Sequence, residues 1–269
     1  MRFQAFSLPL GCVILFGLAA GPACVALEPT PQAASAFNAY VSEVESRLDR
    51  QHRSQEGFVV LAAHDSQSEQ RLRKGELVVE RLTPSPEVAM PGAMLHHWRG
   101  TVFLAGAKAA DLEPILRDFN TYPQHFAPQV LKASSLSQGN DGLQSKMRIR
   151  QKHILTVVMD MNFDVIFGRL DPQHEFSSSR STRVAEIASA GSPSEHALSP
   201  ADDHGFLWRL NTYWTWEERD GGLYMQIESI SMTRSIPRGL GWSLGPFVES
   251  VPRESLEFTL RSAENALHK

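Results

Sequence analysis

The chain has 269 residues, 42% hydrophobic and 21% charged, which is ordinary globular composition and enough length for one large domain or two small ones. A formal charge of −4 and a pI near 6.2 argue against a nucleic-acid-binding protein, which needs a basic surface. The only cysteines, Cys12 and Cys24, both lie near the N-terminus.

Residues 1–26 read as a secretory signal peptide. Arg2 supplies a minimal positive start, and Leu8 to Ala20 is an apolar run shorter than the roughly 20 residues a bilayer span needs. Cys24-Val25-Ala26 then places small residues at the cleavage-determining positions. The competing readings are an N-terminal membrane anchor and a lipoprotein site at Cys24, the latter poorly matched because Gly21 stands where an aliphatic residue is expected. Cleavage after Ala26 leaves a mature chain with no disulfide, thiol nucleophile or cysteine metal ligand. The expected location is periplasmic or secreted, with no stable transmembrane span after cleavage.

Residues 27–74 form an N-terminal helix and an accessory segment. Phe37, Tyr40, Val41, Val44 and Leu48 recur at helical spacing within Ala33 to Arg53, which predicts a helix lying across the domain. Gly57 to Ala63 reads as a short strand. Residues 75–269 form the main domain. A strand over Gly75 to Leu82 is followed by Pro and Gly breakers, then by a strong strand from His96 to Ala105. Ala109 to Phe119 is helical, with Asp111 as its cap and Leu112, Ile115, Leu116 and Phe119 as its apolar stripe. Tyr122-Pro123 and Ala127-Pro128 force a turn around a short second helix.

Thereafter the chain is almost all strand: Val130 to Ser137, Leu143 to His153, Val157 to Phe167, Phe176 to Ala188, His204 to Glu218 and Leu223 to Arg234. Gly139-Asn140-Asp141-Gly142 and Asp220-Gly221-Gly222 are hairpin turns, and Ala190 to Asp203 is a loop. Basic Lys146, Arg148, Arg150 and Lys152 alternate with an apolar face, as do acidic Asp160 and Asp164 on the next strand, so the two strands should pair with one wet face. An amphipathic helix with Leu256, Leu260, Ala263 and Leu267 on one stripe ends the chain. A terminal helix of this kind has to bury its stripe, and the strand run is the only large partner. The predicted class is α+β: a curved antiparallel sheet wrapped around a long C-terminal helix, with a short helix pair after the first core strand.

This order, with Asp118-Phe119-x-x-Tyr122-Pro123 followed by Pro128 and Val130, resembles the START-like, or polyketide cyclase/dehydrase-like (SRPBCC), superfamily with its helix-grip fold. The Gly75-Glu76 strand and the Gly239-Leu240-Gly241-Trp242 start of the last helix are similar to exported bacterial members. The resemblance covers about residues 75–267. It implies a hydrophobic cavity between sheet and terminal helix that takes lipids or other apolar molecules, and it carries no family-wide catalytic motif.

The candidate cavity wall is Met147, Ile149, Met159, Met161, Phe163, Trp208, Trp214, Met225, Ile227, Val251 and Phe258, because Met and aromatic side chains adapt to irregular apolar shapes. Plain core packing would use the same residues. His153, Arg180 and Glu186 are candidate inward polar groups that would fix a head group or act as acid and base; a satisfied structural pair is the alternative. Adjacent His96 and His97 point to opposite faces and cannot chelate one metal together. No zinc-type spacing, GxSxG elbow or GxGxxG fingerprint occurs, so no metal, cofactor or catalytic set is expected. The expected function is an exported protein holding a hydrophobic small molecule or lipid. The alternatives are a cyclase/aromatase-type enzyme using the same cavity, with His153 or Glu186 as acid–base, and a non-ligand envelope protein.

Overall fold

The computed structural model describes residues 28–61, 66–84, 88–139, 142–152, 156–236 and 241–268, with backbone alone at 66, 138 and 241–249. The segment expected to be a signal peptide, residues 1–26, therefore lies outside the described residues, as does His153. Among the described residues the elements are α1 (Pro31–Gln51), α2 (Ser66–Arg73), β1 (Val78–Arg81), β2 (Ala93–Ala105), α3 (Ala109–Arg117), α4 (Tyr122–His125), β3 (Val130–Gln138), β4 (Gly142–Lys152), β5 (Thr156–Asp171), β6 (His174–Ala188), β7 (His196–Ala197), β8 (Arg209–Arg219), β9 (Gly222–Arg234) and α5 (Gly241–Leu267).

The strands form one antiparallel sheet in the order β1-β2-β9-β8-β6-β5-β4-β3, with the two-residue β7 beside β6. Hairpins account for most neighbours. The exceptions are β6 with β8, and β2, which pairs along its whole length with β9, from Ala93 opposite Arg234 to Ala105 opposite Gly222. The β8–β9 hairpin turns at Asp220 and Gly221, both at positive φ, 58° and 76°, as a tight two-residue turn requires. As predicted, β4 and β5 pair, and Arg148 of one bonds Asp160 of the other through two nitrogens at 2.7 and 2.9 Å.

Each face of the sheet carries a helix. On the inner face, Leu256, Leu260 and Ala263 of α5 are buried against Val102, Leu104, Met225 and Ile227. Gly100 of β2 is the point of closest approach: a Cβ there would lie 2.3 Å from Leu256 Cδ2 and 2.6 Å from Leu260 Cδ1. On the outer face lies α1. Thr30 caps it by accepting a hydrogen bond from Ala33 N at 3.1 Å, and Pro31 suits its first turn. Its stripe of Ala33, Phe37, Val41, Val44 and Leu48 is buried on Leu95, Tyr213, Ile230 and Met232. Burying such side chains contributes about 1.5–3 kcal/mol each, and α1 depends on it because a free helix of this length is marginal.

The structure differs from the sequence expectations at four points. Of the strand expected over 57–63, residues 57–61 are not in a strand, and Gly57 adopts positive φ. Ser66–Arg73, to which the sequence pattern assigns no element, is helical although its mostly polar sequence has almost no apolar stripe; Leu72 is its buried apolar anchor, against Phe103 and Tyr224. Lys108 occupies the N-cap position of α3 without a side-chain cap hydrogen bond; Asp111 supplies the capping acceptor from inside the first turn, taking the Lys108 N–H at 3.3 Å. The strand expected from His204 begins only at Arg209, after a loop in which Gly205 adopts positive φ and Phe206 is exposed.

Candidate functional site

Strand parity places one row of each strand on the inner face. Met147 lies opposite Met161, and Ile149 opposite Met159. Met147, Ile149 and Met161, with Phe163, Val165 and Phe167, build one wall of a hollow beneath α5. Trp214 and Ile227, directly paired, build the other. Leu116, Phe119, Tyr122 and Phe126 of the α3–α4 turn close one end. Tyr122 is stacked on Phe119 with ring centroids 4.3 Å apart and donates its hydroxyl to Leu116 O at 2.8 Å. Burial, and secondarily the charge of Asp118, pushes this phenol far above the ordinary tyrosine range, so it stays protonated. Leu256, Phe258 and Thr259 of α5 form the roof. Ser255 ties that roof to β4 by donating to Gln151 Oε1 at 3.2 Å.

The hollow measures about 170 Å³. It holds a single ring with substituents, or the end of a chain; an apolar cavity of about 150 Å³ binds benzene. Its wall has a polar strip that sequence reasoning missed. Ser179, Thr212 and Ser229 stand side by side on β6, β8 and β9, since Ser179 pairs with Thr212 and Thr212 with Ser229. The sequence of β6 is rich in serines. The usable signal was their alternation at Ser177, Ser179 and Ser181, which keeps them on one face.

Of the predicted site residues, Met147, Ile149, Met161, Phe163, Trp214, Ile227 and Phe258 line the hollow. Met159 and Met225 are buried in the same core without reaching it, and Val251 is half-buried on α5 away from the wall. Arg180 is on the opposite face, bonding Glu45 of α1. The reason is a bulge in β6: Asn162 pairs with Arg183 but Phe163 with Ser181, so Arg180 and Glu186, two even-numbered positions, face opposite ways. Glu186 faces inward opposite Met159 but is held by His204, whose backbone N lies at 3.2 Å and Nδ1 at 3.0 Å. Trp208 precedes β8 and packs with the outer-face cluster.

A second hollow, about 630 Å³ and widely open, lies on the outer face beside α1, with Tyr40, Arg47, Arg50, His97 and Arg99 among its walls. Most of its charges are already engaged. Buried Glu228 bonds His97 Nε2 at 3.0 Å and the Arg47 guanidinium, with Arg99 Nη1 at 3.6 Å; Arg99 also bonds Glu80 at 3.0 Å. Burial pushes the Glu228 carboxyl up, but the His97 hydrogen bond and the Arg47 charge outweigh it and hold it down at about 2. This network clamps α1 to the sheet, and the groove is its open seam.

An antiparallel sheet packed on a long C-terminal helix, with a helix pair between the second and third strands, is the α+β helix-grip fold expected from the sequence. Similar solved structures include a STAR-related lipid transfer protein from Xanthomonas axonopodis, at 18% identity and TM-score 0.45, covering 67% of this chain and 96% of that one. The Zhui aromatase/cyclase from a Streptomyces species is 15% identical at TM-score 0.41, covering 64% and 91%. Human STARD10 is 10% identical at TM-score 0.42, covering 76% and 81%. No protein-family model and no curated protein matches the chain. No helix among the described residues is long and apolar enough to cross a membrane.

Proposed function

We propose that this protein is a binding module that holds a hydrophobic small molecule, or the end of a lipid chain, in the hollow beneath α5. One observation carries the proposal: a hollow of about 170 Å³ persists between sheet and helix and is walled mainly by Met, aromatic and aliphatic side chains. Burial of the ligand's apolar surface supplies the affinity. An enzymatic reading finds little support among the described residues, because the wall carries no acid–base pair and its one titratable group, the Tyr122 phenol, is held protonated. Export by way of residues 1–26 is part of the proposal, and a mature N-terminus at Leu27 in a periplasmic or secreted fraction is its expected mark.

The test is native mass spectrometry of the protein purified from its own cells, with toluene uptake followed by ligand-observed NMR. A co-purifying small molecule, or saturable toluene uptake that the hollow-filling Ile227→Phe variant abolishes, supports the proposal. A folded protein that carries nothing and takes up no toluene overturns it.

A further inference from the structure

The hollow has a polarity that an oily ligand alone leaves unexplained. Ser179, Thr212 and Ser229 form a continuous rung across three adjacent strands, with Trp98 beyond one end and Val165 beyond the other. Neighbouring positions on such a rung sit about 5 Å apart. All three side chains border the hollow. No hydrogen bond to any of the three hydroxyls is made by another described residue, although Ser255 and Thr259 on the roof both have partners. The three residues are half-buried, so their hydroxyls are open to whatever fills the hollow, and a ligand that displaces water from them has to replace the hydrogen bonds that water makes.

The lining is also without formal charge. Among the described residues it includes no Asp, Glu, Lys, Arg or His. A carboxylate or phosphate brought inside would lose its hydration with no countercharge to replace it. An uncharged group carrying oxygen loses much less and recovers it on the rung. Hydroxyls both donate and accept, so they serve ligand carbonyl and ligand hydroxyl alike.

Building on the binding role proposed above, we infer that the rung of Ser179, Thr212 and Ser229 determines ligand specificity: it favours an uncharged compound of about one ring that carries hydroxyl or carbonyl oxygens over anionic lipids and over plain hydrocarbons, which bind more weakly. The oxygen-bearing end enters first and lies on β6, β8 and β9, and the apolar remainder faces the Met and Phe wall.

The test compares three probes of similar size by isothermal titration and ligand-observed NMR: toluene, 4-hydroxyacetophenone and 4-methylbenzoate. The expected order places 4-hydroxyacetophenone at least tenfold tighter than toluene, and 4-methylbenzoate at least tenfold weaker than 4-hydroxyacetophenone. Ser179→Ala combined with Thr212→Val should erase the preference for 4-hydroxyacetophenone while toluene binding stays the same or tightens. Toluene binding as tightly as 4-hydroxyacetophenone, 4-methylbenzoate binding best, or a preference that survives the double variant, overturns the inference while leaving the binding role intact. Uptake of none of the three removes both.

Discussion

Tyr40 of α1 lies 2.8 Å from Nδ1 of His97 on β2, and the other nitrogen of that ring faces Glu228 at 3.0 Å. The two ring nitrogens of His97 thus bridge the tyrosine hydroxyl and the carboxylate. A helix is fastened to the sheet through a histidine whose carboxylate partner is buried. Glu228→Ala leaves Arg47, Arg99 and His97 facing an empty counter-ion position. The expected loss is about 3–5 kcal/mol, the usual result of removing one partner of a buried pair. Urea unfolding measures it, and limited proteolysis should cut α1 first. An unchanged midpoint would mean that the apolar stripe of α1 holds it unaided.

Stability should decline in mild acid. Burial lowers His52 to about 4, and burial with help from Arg81 lowers His96 to about 4. Both are neutral in the fold and titrate near 6.5 when unfolded, so the unfolded chain binds more protons between those values. Their contribution is complete above pH 6.5 and is lost as pH falls towards 4, roughly 3 kcal/mol each at most. Glu228, held at about 2, adds a second loss between about 4.5 and 2. Thermal unfolding from pH 7 to 4 checks the first window. His96→Gln should flatten the slope, and a slope parallel to that of the unaltered protein would show that His96 is not its source.

Gly100 sets how closely α5 approaches. Gly100→Ala puts a methyl into the space of Leu256 and Leu260, both almost wholly buried. Overpacking of this kind costs about 1–3 kcal/mol. The hollow should change as well, because Leu256 is part of its roof. Thermal unfolding together with toluene binding would register both effects; neither changing would mean that the two leucines rotate away freely.

Phe163→Ala should enlarge the hollow at a cost of about 3–5 kcal/mol, as for other buried phenylalanines. The variant should admit naphthalene where the unaltered protein prefers a single ring. Competition between naphthalene and toluene measures the change.

The architecture was largely legible in the sequence because its signals are local. Alternation along Met159, Met161, Phe163 and Val165 fixes a face without any knowledge of the partner strand. The same alternation brought six candidates to the hollow, and the helical pattern of α5 a seventh, Phe258. It failed at Arg180 because one extra residue in β6 reverses inside and outside, and nothing local marks the insertion. It failed at Trp208 because aromatic parity was extended across a loop. The hydroxyl rung was hidden for another reason: Ser179, Thr212 and Ser229 become neighbours only once three strands are in register. The apolar stripe of α1 was visible, but its docking face was not, since Tyr213, Ile230 and Met232 lie far along the chain.

The β2–β9 ladder bears on how the protein is made. The partners of β2 are nearly the last strand residues to leave the ribosome, and the surface that receives α1 is completed by the same late strands. The early third of the polypeptide therefore waits, unable to bury itself, until the late third arrives. Such distant pairings make assembly slow.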